Sequence, residues 1–153
     1  MTPEERAAVG RASDQLSLLT IELCRAEFER PASIPPGAKQ IAQQHKRGTA
    51  FAVAEALDAE GHAFQVFQVR VHCGTRGLND ATLDEPIVFF EIEADFVATY
   101  RLDKMPDEEA LKAFAEFNAV HHIWPFWRQH VFDIVHRSNL PNLEIPLLAG
   151  PQK

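Results

Sequence analysis

The chain has 153 residues, of which 46% are hydrophobic and 24% are charged. A chain of this length buries about 68–70% of the surface that it exposes when unfolded, so we expect a single domain over residues 1–153. Its 15 Lys and Arg against 22 Asp and Glu give a formal net charge of −7. Because that sign opposes attraction to nucleic acid phosphates and anionic lipid, we predict no nucleic acid partner and no direct membrane insertion.

The first fifteen residues are small and charged, and they predict a flexible or helical arm, residues 1–15, outside the core. They lack the apolar stretch of a secretory signal, and no later segment approaches the ~18 apolar residues that a membrane span needs. The two cysteines, Cys24 and Cys73, lie far apart in segments of strand composition, and we expect both to be small buried thiols. A cytoplasmic location is the resulting prediction.

Four segments have the apolar and β-branched composition of strands, and they cover residues 16–28, 49–57, 64–73 and 88–100. A loop with three prolines and a glycine, residues 30–37, follows the first segment and forbids regular pairing there. The next two segments end in turns rich in glycine and Asn or Asp, which are typical of antiparallel connections. These features predict an antiparallel sheet.

The fourth segment alternates with strict period two. This pattern predicts one buried face and one solvated face, and the solvated face carries Glu91, Glu93 and Asp95. A general acid–base pair needs a cleft and neighbours that shift its pKa. We therefore interpret the three carboxylates as plain surface or as a docking patch for a basic partner, and not as catalytic groups.

The period becomes helical in the last third of the chain, with Asp107 as the expected N-cap. The helix is predicted to run to about residue 137 or 138, because a proline follows at position 141. Residues 142–153 are predicted to form an extended, partly packed tail. Four strands followed by one helix predict an α+β fold, in which a four-stranded antiparallel sheet of meander type packs against one long C-terminal helix.

Two phenylalanines of this helix lie outside its core-facing stripe. At about 100° per residue, the stripe gathers seven apolar residues: Val120, Ile123, Trp124, Trp127, Val131, Ile134 and Val135. Phe126 and Phe132 flank it, and burying each of them would contribute roughly 1.5–3 kcal/mol. The tail, a packed loop, a subunit interface or a binding groove would each provide a cover for them.

The sequence contains none of the common motifs for catalysis or metal binding. Its seven histidines include no H-x-x-x-H or H-E-x-x-H arrangement, and its two cysteines lack C-x-x-C spacing. Nucleophile-elbow, phosphate-binding and dinucleotide-binding motifs are also missing. We therefore predict that the protein is not an enzyme and uses no metal and no cofactor.

The helix carries a resemblance to a known family. Its aromatic turn, Trp124-Pro125-Phe126-Trp127-Arg128-Gln129, is followed nine residues after Arg128 by Arg137 and then by Leu140-Pro141-Asn142-Leu143. This arrangement resembles the signature of the SecB family of protein-export chaperones. Four strands in the same order, a proline-rich loop after the first and Tyr100 at the end of the fourth extend the resemblance over roughly residues 18–148.

The resemblance implies a homotetramer, arranged as a dimer of dimers, that keeps unfolded or precursor proteins export-competent in apolar grooves without ATP and passes them to the SecA motor. By position, it makes four residues candidates for the lining of the client-binding groove: Phe51, Val53, Phe126 and Trp127. Phe126 and Phe132 are the candidates for the oligomer interface.

The carboxylates of the sheet are the candidates for partner docking, and they are Glu29, Glu91, Glu93 and Asp95. Glu29 and Glu93 match acidic positions through which the family touches SecA, whereas Arg25 stands at a further position that is acidic in the family. The sequence stops at Lys153, where known members continue into a second helix and an acidic tail. Docking to SecA would then rest on the sheet alone.

Two alternatives stay open at this stage. Some SecB-like proteins protect an antitoxin in toxin–antitoxin–chaperone systems, and this chain would fit that role. A protein of another class is also compatible with the pattern, because a sheet under a long helix encloses small ligands in some folds, and Trp124 and Trp127 would then line a closed pocket.

Overall fold

The computed structural model describes residues 1–38, 41–141 and 143–147. The elements in chain order are α1 (Pro3–Ser13), β1 (Leu16–Glu29), β2 (Ala42–Leu57), β3 (Ala63–Leu78), β4 (Val88–Leu102), α2 (Glu108–Phe114) and α3 (Val120–Ser138). A π-helical turn, Ala115–Ala119, joins α2 to α3. The predicted α+β class, with four antiparallel strands and one long C-terminal helix, is confirmed.

The four strands form one antiparallel sheet in the order β1-β4-β3-β2. Only β2, β3 and β4 follow each other as a meander, so the prediction of a full meander is wrong for β1. Because β1 pairs with β4, the connection after Glu29 must pass from one edge of the sheet to the other. The prolines of this connection keep it out of the hydrogen-bonded ladder.

The core lies between the two central strands and the helical layer. Alternate residues of β4 are buried as predicted, with Ile92, Phe96 and Tyr100 at most 4% exposed. They pack with β3 and with α2 and α3, and Trp127 at 1% exposure is among the largest fully buried side chains. The two edge strands, in contrast, contain no buried residue along their described lengths.

Helix α1 is joined to the core, although the sequence favoured an arm outside it. Thr2 and Glu5 form a reciprocal capping box that fixes the start of the helix. Ala12 is fully buried in the main core, and Ala8 and Val9 pack around Ala113 of α2. The sequence pattern missed this packing because alanine gives only a weak apolar signal.

The long C-terminal helix is capped as predicted but is not uniform. The Asp107 side chain accepts a hydrogen bond from the Ala110 N–H, and Asn139 ends the helix in the left-handed conformation with φ 49°. The π-helical turn ends six residues before Pro125, which lies inside α3. Among the described residues, no helix combines the length and hydropathy that crossing a bilayer requires.

The two cysteines differ in their surroundings. Cys73 is buried in β3, as predicted, but Cys24 is exposed. The register of β1 on β4 shifts between Leu23 and Arg25, so Cys24 sits at an irregularity of an edge strand. The prediction of a buried thiol at Cys24 is therefore wrong.

Candidate functional site

A groove runs between the first half of β2 and helix α3. Gln43 and His45 form one wall, and residues 143–146 lie beside the helix. The helix contributes five residues to the opposite wall: Arg128, Val131, Phe132, Val135 and His136. The cavity volume is about 760 Å³, which lies in the range of ligand-binding clefts. We call it the β2 groove.

The predicted groove residues of β2 lie on the same strand face, further along. Phe51 and Val53 pair with Val69 and Phe67, which are fully buried, so both point toward the helical layer. Phe51 nevertheless stays 39% exposed and Val53 40% exposed, because β2 is an edge strand. The ring of Phe51 lies 5.6 Å from that of Phe67. The two side chains thus extend the β2 groove as an apolar ledge.

Phe132 belongs to this groove, whereas Trp127 does not line it. Phe132 is 57% exposed on the groove wall, and Trp127 is almost completely buried beneath α3. Trp127 therefore belongs to the core that lies between α3 and the sheet. This position follows from its place at the centre of the apolar stripe.

Phe126 lies on the other side of α3. His122 and His130, four residues before and after it, contact Tyr100 and Phe96 of β4, so helical spacing places Phe126 on that side. The sequence grouped Phe126 with Phe51 and Val53 in one groove, and the structure separates them.

A second set of exposed apolar side chains lies on the same side of α3 as Phe126. Leu18 and Leu23 of β1 pair with Tyr100 and Phe96, and the exposed fractions of Leu18, Leu23 and Phe126 are 47%, 51% and 48%. We call this surface the β1 patch. It lies at the sheet edge opposite to β2.

The first half of the β2 groove has a polar wall that the sequence did not reveal. Gln43, His45, Arg47 and Thr49 share the strand face that holds Phe51 and Val53. The Gln43 Nε2 atom is buried and has no hydrogen-bond partner among the described residues, and burial lowers the pKa of His45. Little signal for this wall was available in the sequence, because Gln43, His45 and Arg47 precede the predicted strand, which began at residue 49.

Residues 143–147, the tail segment, are bound to the α3 side of the groove. Trp124 Nε1 donates a hydrogen bond of 2.7 Å to the Pro146 carbonyl, and Arg128 Nε donates one of 3.2 Å to the Ile145 carbonyl. Leu143 and Ile145 are half-buried against the core. The predicted tail covers residues 142–153, of which residue 142 and residues 148–153 lie outside the described part of the chain.

The acidic face of β4 is not solvated in the way that the alternation predicted. Asp95 is 6% exposed; Arg70 Nε lies 3.0 Å from its carboxylate and His72 Nδ1 lies 2.5 Å from it. Burial alone would raise the pKa of Asp95, but the hydrogen bonds from His72 and Arg70 outweigh it and lower the pKa. The interpretation as an exposed carboxylate is therefore wrong for Asp95.

The other docking candidates are also paired or crowded. Lys46 forms an ion pair with Glu93 and lowers its pKa through a hydrogen bond, and Arg76 lies 3.9 Å from Glu91. Glu29 stands directly opposite Glu91 in the ladder. Cations on the neighbouring strands thus neutralise much of the face, because β2 and β3 place their own basic residues beside β4.

The thiol and the acidic turn of the sheet do not form a reactive site. Burial raises the pKa of Cys73 to about 12, so this thiol is protonated at neutral pH and is a poor nucleophile.

Asp58, Glu60 and His62 lie close together in the β2–β3 turn. The Asp58 carboxylate there accepts the backbone N–H groups of Glu60 and His62, which stabilises the turn.

Comparisons with known proteins agree with this fold. No family model matches the chain. It is 30% identical over 112 residues to the SecB-like chaperone Rv1957 of Mycobacterium tuberculosis strain ATCC 25618 / H37Rv, and equally to the SecB-like chaperone MT2006 of strain CDC 1551 / Oshkosh. The match includes 63% of this chain and spans 61% of the length of each relative.

A solved structure gives a similar result over almost the whole chain. It is the Mycobacterium tuberculosis Rv1957 SecB-like chaperone in complex with a ChAD peptide from the Rv1956 HigA1 antitoxin. The TM-score is 0.67 at 22% identity, with coverage of 95% of this chain and 99% of that chain. The chain is homologous to the SecB-like chaperone Rv1957 and has the same fold.

Proposed function

We propose that this protein is a molecular chaperone that binds extended apolar segments of unfolded polypeptides, with no nucleotide and no enzymatic step. The observation that carries the proposal is the β2 groove with its ledge, where Phe51, Val53 and Phe132 stay exposed beside polar side chains. Apolar contacts are non-directional, so such a surface holds many sequences. The homologues named as chaperones support this role.

An antitoxin is the client that the comparisons favour. The solved relative carries a peptide from the HigA1 antitoxin, and this chain resembles that structure over 95% of its length. We therefore propose that a segment of an antitoxin binds in the β2 groove, and that the chaperone shields this apolar segment from water until the antitoxin folds. The protein would act where its client is synthesised, which is the cytoplasm.

Protein export through SecA is the second candidate. It would use the carboxylates Glu29, Glu91 and Glu93 on the outer face of the sheet, and the ion pairs of Glu91 and Glu93 leave little free negative charge there. Contacts between exposed charges are screened by salt. Any SecA binding is therefore expected to be weak and to disappear as the ionic strength rises.

We further propose that the protein is a homotetramer, built as a dimer of dimers. The β1 patch supports this assembly, because its three large apolar side chains are about half exposed in the single chain. Edge strands with such surfaces pair readily with a second chain.

Client capture is tested with reduced, carboxamidomethylated α-lactalbumin, which stays unfolded. Replacing both Phe51 and Val53 by Ser should weaken its binding by at least about tenfold, since each large apolar contact contributes 1.5–3 kcal/mol. Leu83→Ser is the matched control, because Leu83 is 48% exposed in the loop before β4. Unchanged binding by the double variant, with its fold intact, would contradict the proposed groove.

The choice between the two partners is tested by direct titration. The ChAD peptide of the HigA1 antitoxin, a scrambled peptide and purified SecA are each added at low and at physiological salt. Binding of the ChAD peptide in preference to the scrambled one supports the antitoxin role. Binding of SecA alone, weakened by salt, would support export.

A further inference from the structure

The tail segment, residues 143–147, is held in part through its backbone. The indole N–H of Trp124 and the guanidinium Nε–H of Arg128 donate to two successive carbonyl groups, those of Pro146 and Ile145. Residues 143–146 belong to no helix and no strand. Hydrogen bonds to main-chain carbonyls are available to any extended polypeptide, whatever its side chains.

The side chains of the tail segment alternate as in a strand. Leu143 and Ile145 are half-buried against the core, whereas Glu144 and Pro146 are exposed. An extended chain turns successive side chains to opposite sides, which explains this alternation. The site therefore combines two backbone donors with contacts for apolar residues at alternate positions.

This combination is the chemistry that recognises an unfolded segment. We propose that Trp124 and Arg128 form a backbone-binding subsite for extended polypeptides, that the tail segment fills it in the free chain, and that a client segment with apolar residues at alternate positions replaces the tail segment. The inference rests on the proposed chaperone function, since residues 143–146 line the β2 groove itself.

The tail segment is attached in a way that permits its release. Its described carbonyl groups accept two hydrogen bonds from side chains of α3, and two of its side chains are half-buried. Leu147 is 76% exposed. Segments with few buried contacts and no regular ladder open at lower cost than helices or strands. When only the open form binds, the apparent affinity is reduced by the fraction of open chains. Weakening the tail contacts should therefore strengthen client binding.

The experiment uses the full chain and a fluorescein-labelled 20-residue peptide with leucine at alternate positions. We expect the double variant Leu143→Ser with Ile145→Ser to bind the peptide about tenfold more tightly than the wild type. Leu147→Ser is the control, because this side chain lies in the same segment and is exposed. Its affinity should equal that of the wild type. Circular dichroism confirms that each variant is folded.

Hydrogen exchange provides a second readout on the unmodified protein. Saturating peptide should speed exchange at the amides of Leu143, Glu144, Ile145 and Leu147, because the client displaces the tail segment. Adding Trp124→Phe to the double variant removes one hydrogen-bond donor and keeps an aromatic ring. The triple variant should therefore bind the peptide more weakly than the double variant. A purely structural role of Trp124 would leave the affinity for the peptide unchanged.

The outcomes separate the two proposals. If the peptide binds the wild type and the double variant equally and the tail amides stay protected, the subsite is refuted while the chaperone function stands. If the peptide and unfolded α-lactalbumin bind neither protein, the proposed function is refuted and the subsite with it. Tighter binding by the double variant alone, together with faster exchange in the wild type, supports the subsite.

Discussion

At the scale of single residues, Gly77 shows how closely the sheet is packed. A Cβ atom at this position would overlap the ring of Phe90 and lie 2.9 Å from Cγ2 of Ile41. We expect Gly77→Ala to destabilise the fold by about 1–3 kcal/mol, the usual cost of overpacking. Gly10→Ala is the control in α1, where nothing lies within 4 Å of the added atom, and it should stabilise by about 0.5–1 kcal/mol. Urea unfolding measures both, and equal stabilities would contradict the expected clash.

A second residue, His130, should make stability depend on pH. Its ring stacks on Trp127 and meets Phe96 edge-on, and burial lowers its pKa, with Arg137 adding to the shift and Asp133 opposing it. Because the folded pKa lies below the unfolded value, the stabilising contribution is present above pH about 6.5 and is lost as the pH falls through the folded pKa.

Thermal unfolding between pH 8 and pH 5 tests this expectation. The melting temperature of the wild type should fall on the acidic side, and His130→Gln should make that fall shallower. A slope that His130→Gln leaves unchanged would assign the pH dependence to other groups.

The sequence predicted individual residues well where one pattern dominated. Phe126 and Phe132 were placed outside the helical stripe, and both are about half exposed. It could not show that they point toward opposite edges of the sheet, because periodicity orders residues around a helix but does not say which strands the helix covers. It also missed Gln43 and His45, whose groove position depends on the edge location of β2.

At the scale of secondary-structure elements, the sequence pattern predicted an element well where one face of that element is buried. Strand β4 is central and has one apolar face, so its alternation marked both its type and its buried residues. The outer face misled us because charge alone does not show pairing, and the partners of Glu93 and Asp95 come from other strands. The start of β2 was missed because residues 42–48 are mostly polar. They form a strand through their pairing with β3.

Helix α1 provides a prediction at this scale. Ala12 is completely buried, so Ala12→Asp would place a carboxylate in the core without a partner. We expect a loss of about 3 kcal/mol or more in the free energy of unfolding. Ala7→Asp, on the exposed side of the same helix, should change it by no more than about 0.5 kcal/mol. Guanidinium titrations that show the same small effect for both variants would mean that α1 is detached from the core in solution.

At the scale of the whole molecule, the proposed function assigns a different role to each of the two apolar surfaces. The β2 groove has polar donors beside its apolar ledge, which suits the backbone of an extended client. The β1 patch has large aliphatic side chains at a sheet edge, which suits a second copy of the chain. The charged outer face of the sheet carries internal ion pairs and lies apart from both, because alternation turns it away from the helical layer.

This division predicts that assembly and client binding can be separated by substitution. Phe126→Asp would put a carboxylate into the buried β1 patch of an oligomer and remove an apolar contact of about 1.5–3 kcal/mol per chain. Sedimentation velocity at micromolar concentration should then show a species smaller than the wild-type oligomer. Phe132→Asp, in the β2 groove, should keep the size of the oligomer and weaken the capture of unfolded α-lactalbumin. A wild-type chain that sediments as a stable monomer would refute the proposed assembly. Loss of the oligomer in Phe132→Asp alone would place the oligomer interface at the β2 groove and not at the β1 patch.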